Sequence, residues 1–134
     1  MDIITFDDFK KLEIRIGKIL TAEKVEGSDK LMKLEVDFGP VPAEKSGDWA
    51  PAELEDTTSA PPPPLHERRQ IIAGIAQFYA PEALIGKECP FAYNLAPRTL
   101  KGLESQGMIL CPSDASGPVL LHPDKEVPPG SIIK

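Results

Sequence analysis

A chain of 134 residues is long enough to form one domain with its own hydrophobic core. Its formal net charge of -6 argues against indiscriminate binding to nucleic acid, which usually requires a basic domain. It has no apolar stretch behind a basic start and no run of about 18 apolar residues, so we expect a soluble, cytoplasmic protein with no membrane segment. Its two cysteines, Cys89 and Cys111, lie far apart and form no CxxC pair. They therefore predict small apolar packing groups rather than a disulfide framework or a zinc site.

The first predicted elements are a short helix and a long strand. Thr5 can cap a helix in which Asp8 occupies the third position, a weaker form of the capping box, and the apolar positions between residues 6 and 12 supply one face. The following segment, residues 13–25, is long for a strand. Gly17 near its start predicts a bulge or coil, as expected where a barrel strand turns a corner.

Two further strands flank a Pro-rich insertion. Residues 32–38 alternate apolar with charged side chains, the period-2 pattern of a half-buried strand, and the isoleucine-rich residues 68–76 predict its neighbour. Between them, residues 40–65 hold seven prolines, five acids and one lysine, with no apolar periodicity. This segment carries a net charge of -4, which leaves -2 for the remaining 108 residues. We expect it to decorate a hairpin between the two strands.

The second half of the chain predicts a short helix and two more strands. Pro81 suits a helix start and Gly86 a helix end, and strands are predicted over residues 88–94 and 106–111. The predicted elements follow the order of an OB-fold, a partly open Greek-key barrel: three strands, then a short helix, then two strands. We therefore predict a single all-β domain with short helices, a five-stranded OB-fold barrel with a C-terminal extension. The apolar residues of that extension, at about 112–134, are expected to pack on the barrel or on a partner.

In OB-folds the ligand face is built from the second and third strands and from the loops joining strands one to two and four to five. The second of these loops is stiffened by a proline, and it presents Arg98 and Lys101 to phosphate oxygens. The first loop and the second strand bring further cations to the same rim: Lys24, Lys30 and Lys33. Exposed cations are also commonplace on solvated loops. Phe91 or Tyr93 could stack a base, but their alternation suits the core equally well.

Five segments carry a resemblance to a known family. They are FDDFKKLEIRIGKIL, SDKLMKLEVDFG, RQIIAGIAQFYAPEALIGK, NLAPRTLKGLESQGMIL and VLLHPDKEVPPGSIIK. Together they resemble the tRNA-binding domain that occurs as free-standing dimers, at the C-terminus of many bacterial methionyl-tRNA synthetases, and in synthetase-associated cofactors. The resemblance covers nearly everything outside the insertion. Its most specific part is the loop at residues 94–101 together with Ser105, Gly107 and Met108, whereas the OB pattern alone is not specific.

The resemblance implies a tRNA-facing region around the same loop. Carried over by position, the implied tRNA-binding residues are Asn94, Arg98, Lys101 and Ser105, with Lys18, Lys30 and Lys33 as supporting cations. Relatives often carry extra basic residues where this chain has Ala96 and Thr99, so we expect a weaker grip on phosphate. The acidic insertion also departs from the family pattern.

For function, the resemblance implies a non-catalytic homodimer that binds tRNA by its structure, largely independently of sequence. It would act as an accessory module or beta subunit of an aminoacyl-tRNA synthetase, methionyl-tRNA synthetase being the first choice. A dimeric peptide-binding export chaperone of the same fold is the alternative, although its members match less well across ESQGMIL. An enzyme would depend on His66, His122 and the two cysteines, and the sequence shows no orienting partner for either histidine. No cofactor or metal is predicted.

Overall fold

The computed structural model describes residues 2–40 and 65–134. This part of the chain is mostly β-strand, with two short helices, α1 (Phe6–Lys10) and α2 (Pro81–Leu84). The strands are β1 (Ile14–Lys24), β2 (Met32–Pro40), β3 (His66–Ala73), β4 (Glu88–Ala92), β5 (Arg98–Leu100), β6 (Leu103–Ser105), β7 (Met108–Ile109), β8 (Ser113–Asp114), β9 (Gly117–Pro118) and β10 (Ile132–Ile133).

Five of these strands form one curled antiparallel sheet, which β10 extends. Neighbouring strands follow the order β3-β2-β1-β4-β7, and β10 pairs with β1. The sheet curls into a half-barrel of the OB type, which confirms the predicted fold class. Its concave side holds the core, because residues that alternate along each strand share a face. The largest fully buried side chains are Phe91, Ile19, Met32, Leu34, Ile71, Leu84, Val36 and Cys89.

Gly17 permits close packing and does not form a bulge. A Cβ atom at this position would lie 2.4 Å from Cγ1 of Val36 and 2.9 Å from Cε1 of Phe38. The irregularity in β1 falls later, between Ile19 and Thr21, where the pairing with β2 shifts register. The prediction of a bulge at Gly17 is therefore wrong. The position is a glycine because the side chains of Val36 and Phe38 on β2 leave no room for a Cβ atom there.

Strands β2 and β3 bring the two ends of the insertion together. They pair antiparallel from Met32, opposite Ala73, to Pro40, opposite His66. Near this end, Nδ1 of His66 lies 2.9 Å from each carboxylate oxygen of Asp37. The two strands on either side of the insertion are therefore paired, as expected, while residues 41–64 lie outside the described part of the chain.

The C-terminal tail runs along the barrel. Its last strand pairs with β1, so that Ile133 lies opposite Ile14. Just before that strand the tail crosses the end of β2 at a point where two glycines meet. A Cβ atom on Gly130 would lie 2.2 Å from the carbonyl oxygen of Phe38, and one on Gly39 would lie 2.3 Å from that of Pro129. The tail therefore packs on the barrel through its backbone, and leaves 38% of Ile133 exposed.

The two helices begin and end as local sequence predicts. Thr5 caps α1, because its hydroxyl accepts a hydrogen bond from Asp8 N at 3.1 Å and the Asp8 carboxylate accepts one from Thr5 N. Pro81 occupies the first turn of α2, and Gly86 follows its end with a φ of 87°. No helix within residues 2–40 or 65–134 is long and apolar enough to cross a membrane.

Candidate nucleic-acid interface

The segment between β4 and β7, predicted as a rigid loop, folds into a hairpin. Its strands β5 and β6 pair antiparallel, with Leu100 opposite Leu103. Lys101 and Gly102 form the turn, with φ values of 50° and 79°. Positive φ at both central positions is typical of a type I′ turn, whose twist suits a two-residue hairpin. The β5–β6 hairpin therefore presents the exposed side chain of Lys101 at its tip.

Hydrogen bonds attach the β5–β6 hairpin to β3. The hydroxyl of Ser105 accepts a hydrogen bond from Ile72 N at 2.9 Å and donates one to Gly107 O at 3.0 Å. The side-chain oxygen of Gln106 accepts a hydrogen bond from Gln70 N at 3.0 Å. Only 4% of Ser105 is exposed. Its hydroxyl is thus used inside the fold, where it sets the position of the hairpin.

A groove lies between the hairpin tip and the loop that joins β1 to β2. Three lysines line this lysine groove, together with two acids and two apolar residues: Lys24, Lys33, Lys101, Glu23, Glu26, Val25 and Leu103. Nζ of Lys33 lies 2.7 Å from Oε1 of Glu23. Because an exposed ion pair of this kind contributes about 0–1 kcal/mol, a phosphate group can replace Glu23 as the partner of Lys33 at little cost.

The surface continues from the lysine groove across the outer face of β2 and β3. The adjoining depression shares Glu23 and Lys33 with that groove, and its other residues are Thr21, Leu34, Glu35, Arg68, Arg69, Gln70 and Gln106. Donors and acids alternate here, because Glu35 lies opposite Gln70 on the neighbouring strand. Such a surface can donate hydrogen bonds to a few phosphate or ribose oxygens. Its carboxylates would repel closely spaced phosphates.

The loop after β4 closes the far end of this surface. Residues 94–97 line a third depression, which shares two residues with the second. Oδ1 of Asn94 accepts a hydrogen bond from Glu13 N at 2.8 Å, and its Nδ2 donates one to Lys11 O at 2.7 Å. The amide of Asn94 therefore ties this loop to the junction between α1 and β1.

Four of the seven predicted tRNA-binding residues lie on or beneath this surface. Lys33 and Lys101 line the lysine groove. Asn94 lines the third depression, with its amide engaged by backbone groups. Ser105 lies underneath and holds the hairpin. The structure thus brings together two predicted cations that lie on different elements, β2 and the hairpin tip.

The other three predicted cations are placed differently. Arg98, on β5, and Lys30, in the loop between β1 and β2, are exposed but are not among the described residues that line the lysine groove. Lys18 lies on β1, opposite Asp37 on one side and Glu88 on the other. Two carboxyl groups therefore flank the lysine that sequence reasoning treated as a supporting cation.

The aromatic rings next to the groove belong to the core. Phe91 is fully buried and Tyr93 is 7% exposed. The guanidinium carbons of Arg69 and Arg15 lie 3.8 and 4.4 Å from the centre of the Tyr93 ring. Burial, followed by the hydrogen bond from its hydroxyl to Glu67, raises the pKa of Tyr93. Both rings therefore pack in the core, and the Tyr93 ring contacts two arginines.

Both histidines have partners, contrary to the expectation from sequence. Besides the His66 contact with Asp37, Nδ1 of His122 lies 2.8 Å from the carbonyl oxygen of Glu88 and 3.8 Å from Sγ of Cys89. Burial raises the pKa of the Cys89 thiol to about 12, which makes it a poor nucleophile at neutral pH. These contacts therefore stabilise the fold. Within the two described ranges, no group of three His, Cys, Asp or Glu side chains could hold a metal ion.

Sequence reasoning missed the contribution of β3 to this surface. Arg68 and Gln70 lie on its outer face, opposite Asp37 and Glu35 of β2. Alternation would have identified them, because Gln70 and Arg68 lie one and three positions before the buried Ile71, and side chains an odd number of positions apart on a strand point to opposite faces. The prediction for this segment considered only its isoleucines, which indicate a buried strand.

Fold and groove together define the class of this protein. It is an OB-like barrel with a cation-bearing groove between the β5–β6 hairpin and the loop that joins β1 to β2. This groove adjoins the face of the second and third strands, where OB-folds bind oligonucleotides and oligosaccharides. A family model described as "Putative tRNA binding domain" matches residues 65–132. The chain belongs to this tRNA-binding domain family.

Two curated relatives are methionine--tRNA ligases. Methionine--tRNA ligase of Caldanaerobacter subterraneus subsp. tengcongensis is 41% identical over 133 residues, which are 99% of this chain and 17% of that protein. The corresponding ligase of Methanococcoides burtonii is 43% identical over 98% of this chain and 16% of its own length. This chain therefore spans about a sixth of the length of these curated relatives.

Two solved structures cover this chain almost completely. A MetRS related protein from Pyrococcus horikoshii has a TM-score of 0.75 at 32% identity, covering 100% of both chains. The chaperone CsaA from Bacillus anthracis has a TM-score of 0.72 at 28% identity, covering 99% of this chain and 100% of its own. The same fold is thus found in a synthetase-related protein and in a chaperone.

Proposed function

We propose that this chain binds tRNA without catalysing a reaction, and that it recognises the folded shape of tRNA largely independently of sequence. The observation that carries the proposal is the lysine groove, where Lys24, Lys33 and Lys101 meet from three different elements. Ammonium groups contact phosphates as point charges, and phosphate contacts position a nucleic acid without reading its bases. Family membership supports tRNA as the ligand.

The surroundings of the groove favour recognition of shape over recognition of bases. A protein that reads single-stranded bases usually offers aromatic rings for stacking, and the rings nearest this surface, Phe91 and Tyr93, are buried. Double-stranded RNA is recognised mainly by its shape and by contacts to phosphates and 2′-hydroxyl groups. The donors Gln70 and Arg68 on β3 suit such contacts.

We further propose an accessory role for an aminoacyl-tRNA synthetase, with methionyl-tRNA synthetase as the partner. The curated relatives are methionine--tRNA ligases that this chain matches over a sixth of their length, and one solved relative is named as MetRS related. A module that holds tRNA beside a catalytic subunit raises the local concentration of substrate. Such a module would act in the cytoplasm, where charged tRNA is consumed.

The functional form that we propose is a homodimer joined through the termini. A groove between the N-terminal helix and β10 is lined mainly by apolar residues, including Phe6, Phe9, Leu12, Ile132 and Ile133. Phe6 is 72% exposed and Ile132 is 52% exposed in the single chain. Contiguous apolar surface of this kind is typical of protein interfaces. In this proposal the tail, at about 112–134, is the dimerisation extension, and light scattering that finds a monomer at micromolar concentration would contradict it.

Titration of tRNA at several salt concentrations tests the main proposal. The double variant Lys33→Gln with Lys101→Gln should bind more weakly, and its slope of log affinity against log salt should be smaller by about 0.7–0.9 for each phosphate that it no longer neutralises. Glu23→Gln should raise affinity, because it frees Lys33 and removes a negative charge from the groove. Lys87→Gln is the matched control, since Lys87 is an exposed lysine after α2, outside the described lining of the groove and outside the tail. Equal binding by parent and double variant would exclude the groove as the interface.

A peptide-binding chaperone is the second candidate. Its support is the structural similarity to the chaperone CsaA and the exposed apolar groove at the termini. The lysine variants and a further variant, Phe6→Ser, together separate the two candidates, because an unfolded polypeptide would depend on Phe6 and Ile132 rather than on lysines. If Phe6→Ser abolishes binding of an unfolded polypeptide while the lysine variants leave tRNA binding unchanged, the chaperone function replaces tRNA binding.

A further inference from the structure

The ladder between β4 and β7 sets the register of the chain that continues beyond it. Phe91 lies opposite Ile109 in this ladder. One residue further on, Leu110 N donates a hydrogen bond to Pro90 O at 3.0 Å, so the pairing extends past the end of β7. The next pair in the same register is Cys89 and Cys111.

Continued by one residue beyond the hydrogen bond from Leu110 to Pro90, this register would place Cys111 opposite Cys89, at a non-hydrogen-bonded position. Hydrogen-bonded and non-hydrogen-bonded pairs alternate along an antiparallel ladder, and the pair of Pro90 with Leu110 is a hydrogen-bonded one. In a non-hydrogen-bonded pair the Cα atoms are about 4.5 Å apart and both side chains point to the same face. A disulfide requires Cα atoms about 4.4–6.8 Å apart. Both thiols are free in the structure.

The charges around the thiols also indicate that they are close. After burial, the second cause that raises the pKa of Cys89 is the negative charge that Cys111 carries when ionised. Burial also raises the pKa of Cys111, which is less buried than Cys89. Cys111 is therefore the thiol that an oxidant reaches first.

We propose that Cys89 and Cys111 form a reversible intramolecular disulfide, with a low-molecular-weight disulfide as the oxidant. Cys111 loses its proton and attacks one sulfur of the oxidant, which breaks the oxidant's S–S bond and releases its first thiol. Cys89 then loses its proton and attacks the Cys111 sulfur of the mixed disulfide, which releases the second thiol. The two protons end on the released thiols, so the protein loses two electrons and the oxidant gains them.

The bond would join β4 to the chain just before the C-terminal tail. It closes residues 90–110 into a loop that contains the whole β5–β6 hairpin, and position 111 is where the tail begins. Closing a loop of this size in the unfolded chain raises the unfolding temperature by about 10 °C. Oxidation should be slow at neutral pH and faster at higher pH, because attack requires the thiolate. This inference goes beyond tRNA binding and does not depend on it.

The test uses the full chain, reduced and then incubated with oxidised glutathione. Intact-mass spectrometry should show the loss of two hydrogen atoms, and a peptide map without reductant should join the peptides of Cys89 and Cys111. The unfolding temperature should rise by about 10 °C and return on reduction. Cys111→Ala, treated in the same way, should gain neither the bridge nor the rise in temperature.

Three results would overturn the proposal. They are recovery of both thiols unchanged after prolonged incubation at pH 8 to 9, a glutathione adduct on Cys111 that never resolves into an internal bridge, and a disulfide that joins two chains. The intact mass of the oxidised wild-type chain distinguishes these three results from an internal disulfide, so the test does not depend on whether Cys111→Ala folds.

Discussion

Replacing Ser105 by alanine tests whether its hydroxyl supports the hairpin or contacts RNA. The change removes the hydrogen bonds to Ile72 N and Gly107 O and leaves the N–H of Ile72, a residue that is 6% exposed, without its partner. A buried unsatisfied donor costs about 1–3 kcal/mol. At about 4 °C per kcal/mol for a domain of this size, the unfolding temperature should fall by roughly 4–12 °C.

Thermal unfolding monitored by circular dichroism measures this decrease. The matched control is Ser116→Ala, because the Ser116 hydroxyl donates its hydrogen bond to Asp114 in an exposed turn, where the change should cost less than about 0.5 kcal/mol. Well below the unfolding temperature, Ser105→Ala should keep the salt dependence of tRNA binding, since the lysines that meet phosphate are unchanged. Unchanged stability combined with weakened tRNA binding would refute this reasoning and make Ser105 a direct RNA contact.

Three further predictions concern the packing, the insertion and the buried thiol. Gly17→Ala should cost about 1–3 kcal/mol in chemical denaturation, because its Cβ would meet Val36 at 2.4 Å, whereas Gly74→Ala, with no atom within 4 Å, should be neutral or slightly stabilising. Replacing residues 40–65 by a short turn should leave the thermal transition unchanged or slightly higher, since loop-closure entropy grows slowly with length; collapse of the transition would place the segment in the core. The free energy of unfolding should fall as pH rises above 9.0, because the Cys89 thiol ionises near 9.0 in the unfolded chain, whereas burial raises its pKa to about 12 in the folded state. Cys89→Ala should weaken this dependence of stability on pH.

The sequence by itself determined the helices, the main strands and the class of barrel. The capping box at Thr5, the alternation over residues 32–38 and the pair Pro81 and Gly86 all correspond to elements of the structure. These signals could be read because capping and alternation depend on residues only a few positions apart. The resemblance to the tRNA-binding domain family was equally visible, since it rests on residue identities along the chain.

Tertiary structure decided which of those residues act together. Lys33 and Lys101 share a groove because the β5–β6 hairpin folds back beside β3, and the hydroxyl of Ser105 is engaged for the same reason. Cys89 and Cys111 lie far apart in the sequence, yet the register between β4 and β7, continued by two residues past the end of β7, would bring them opposite each other. Neighbours across a sheet are set by register, and a shift of one residue would turn every side chain to the other face. No local pattern in the chain encodes that alignment, because it depends on how the whole barrel closes around its core.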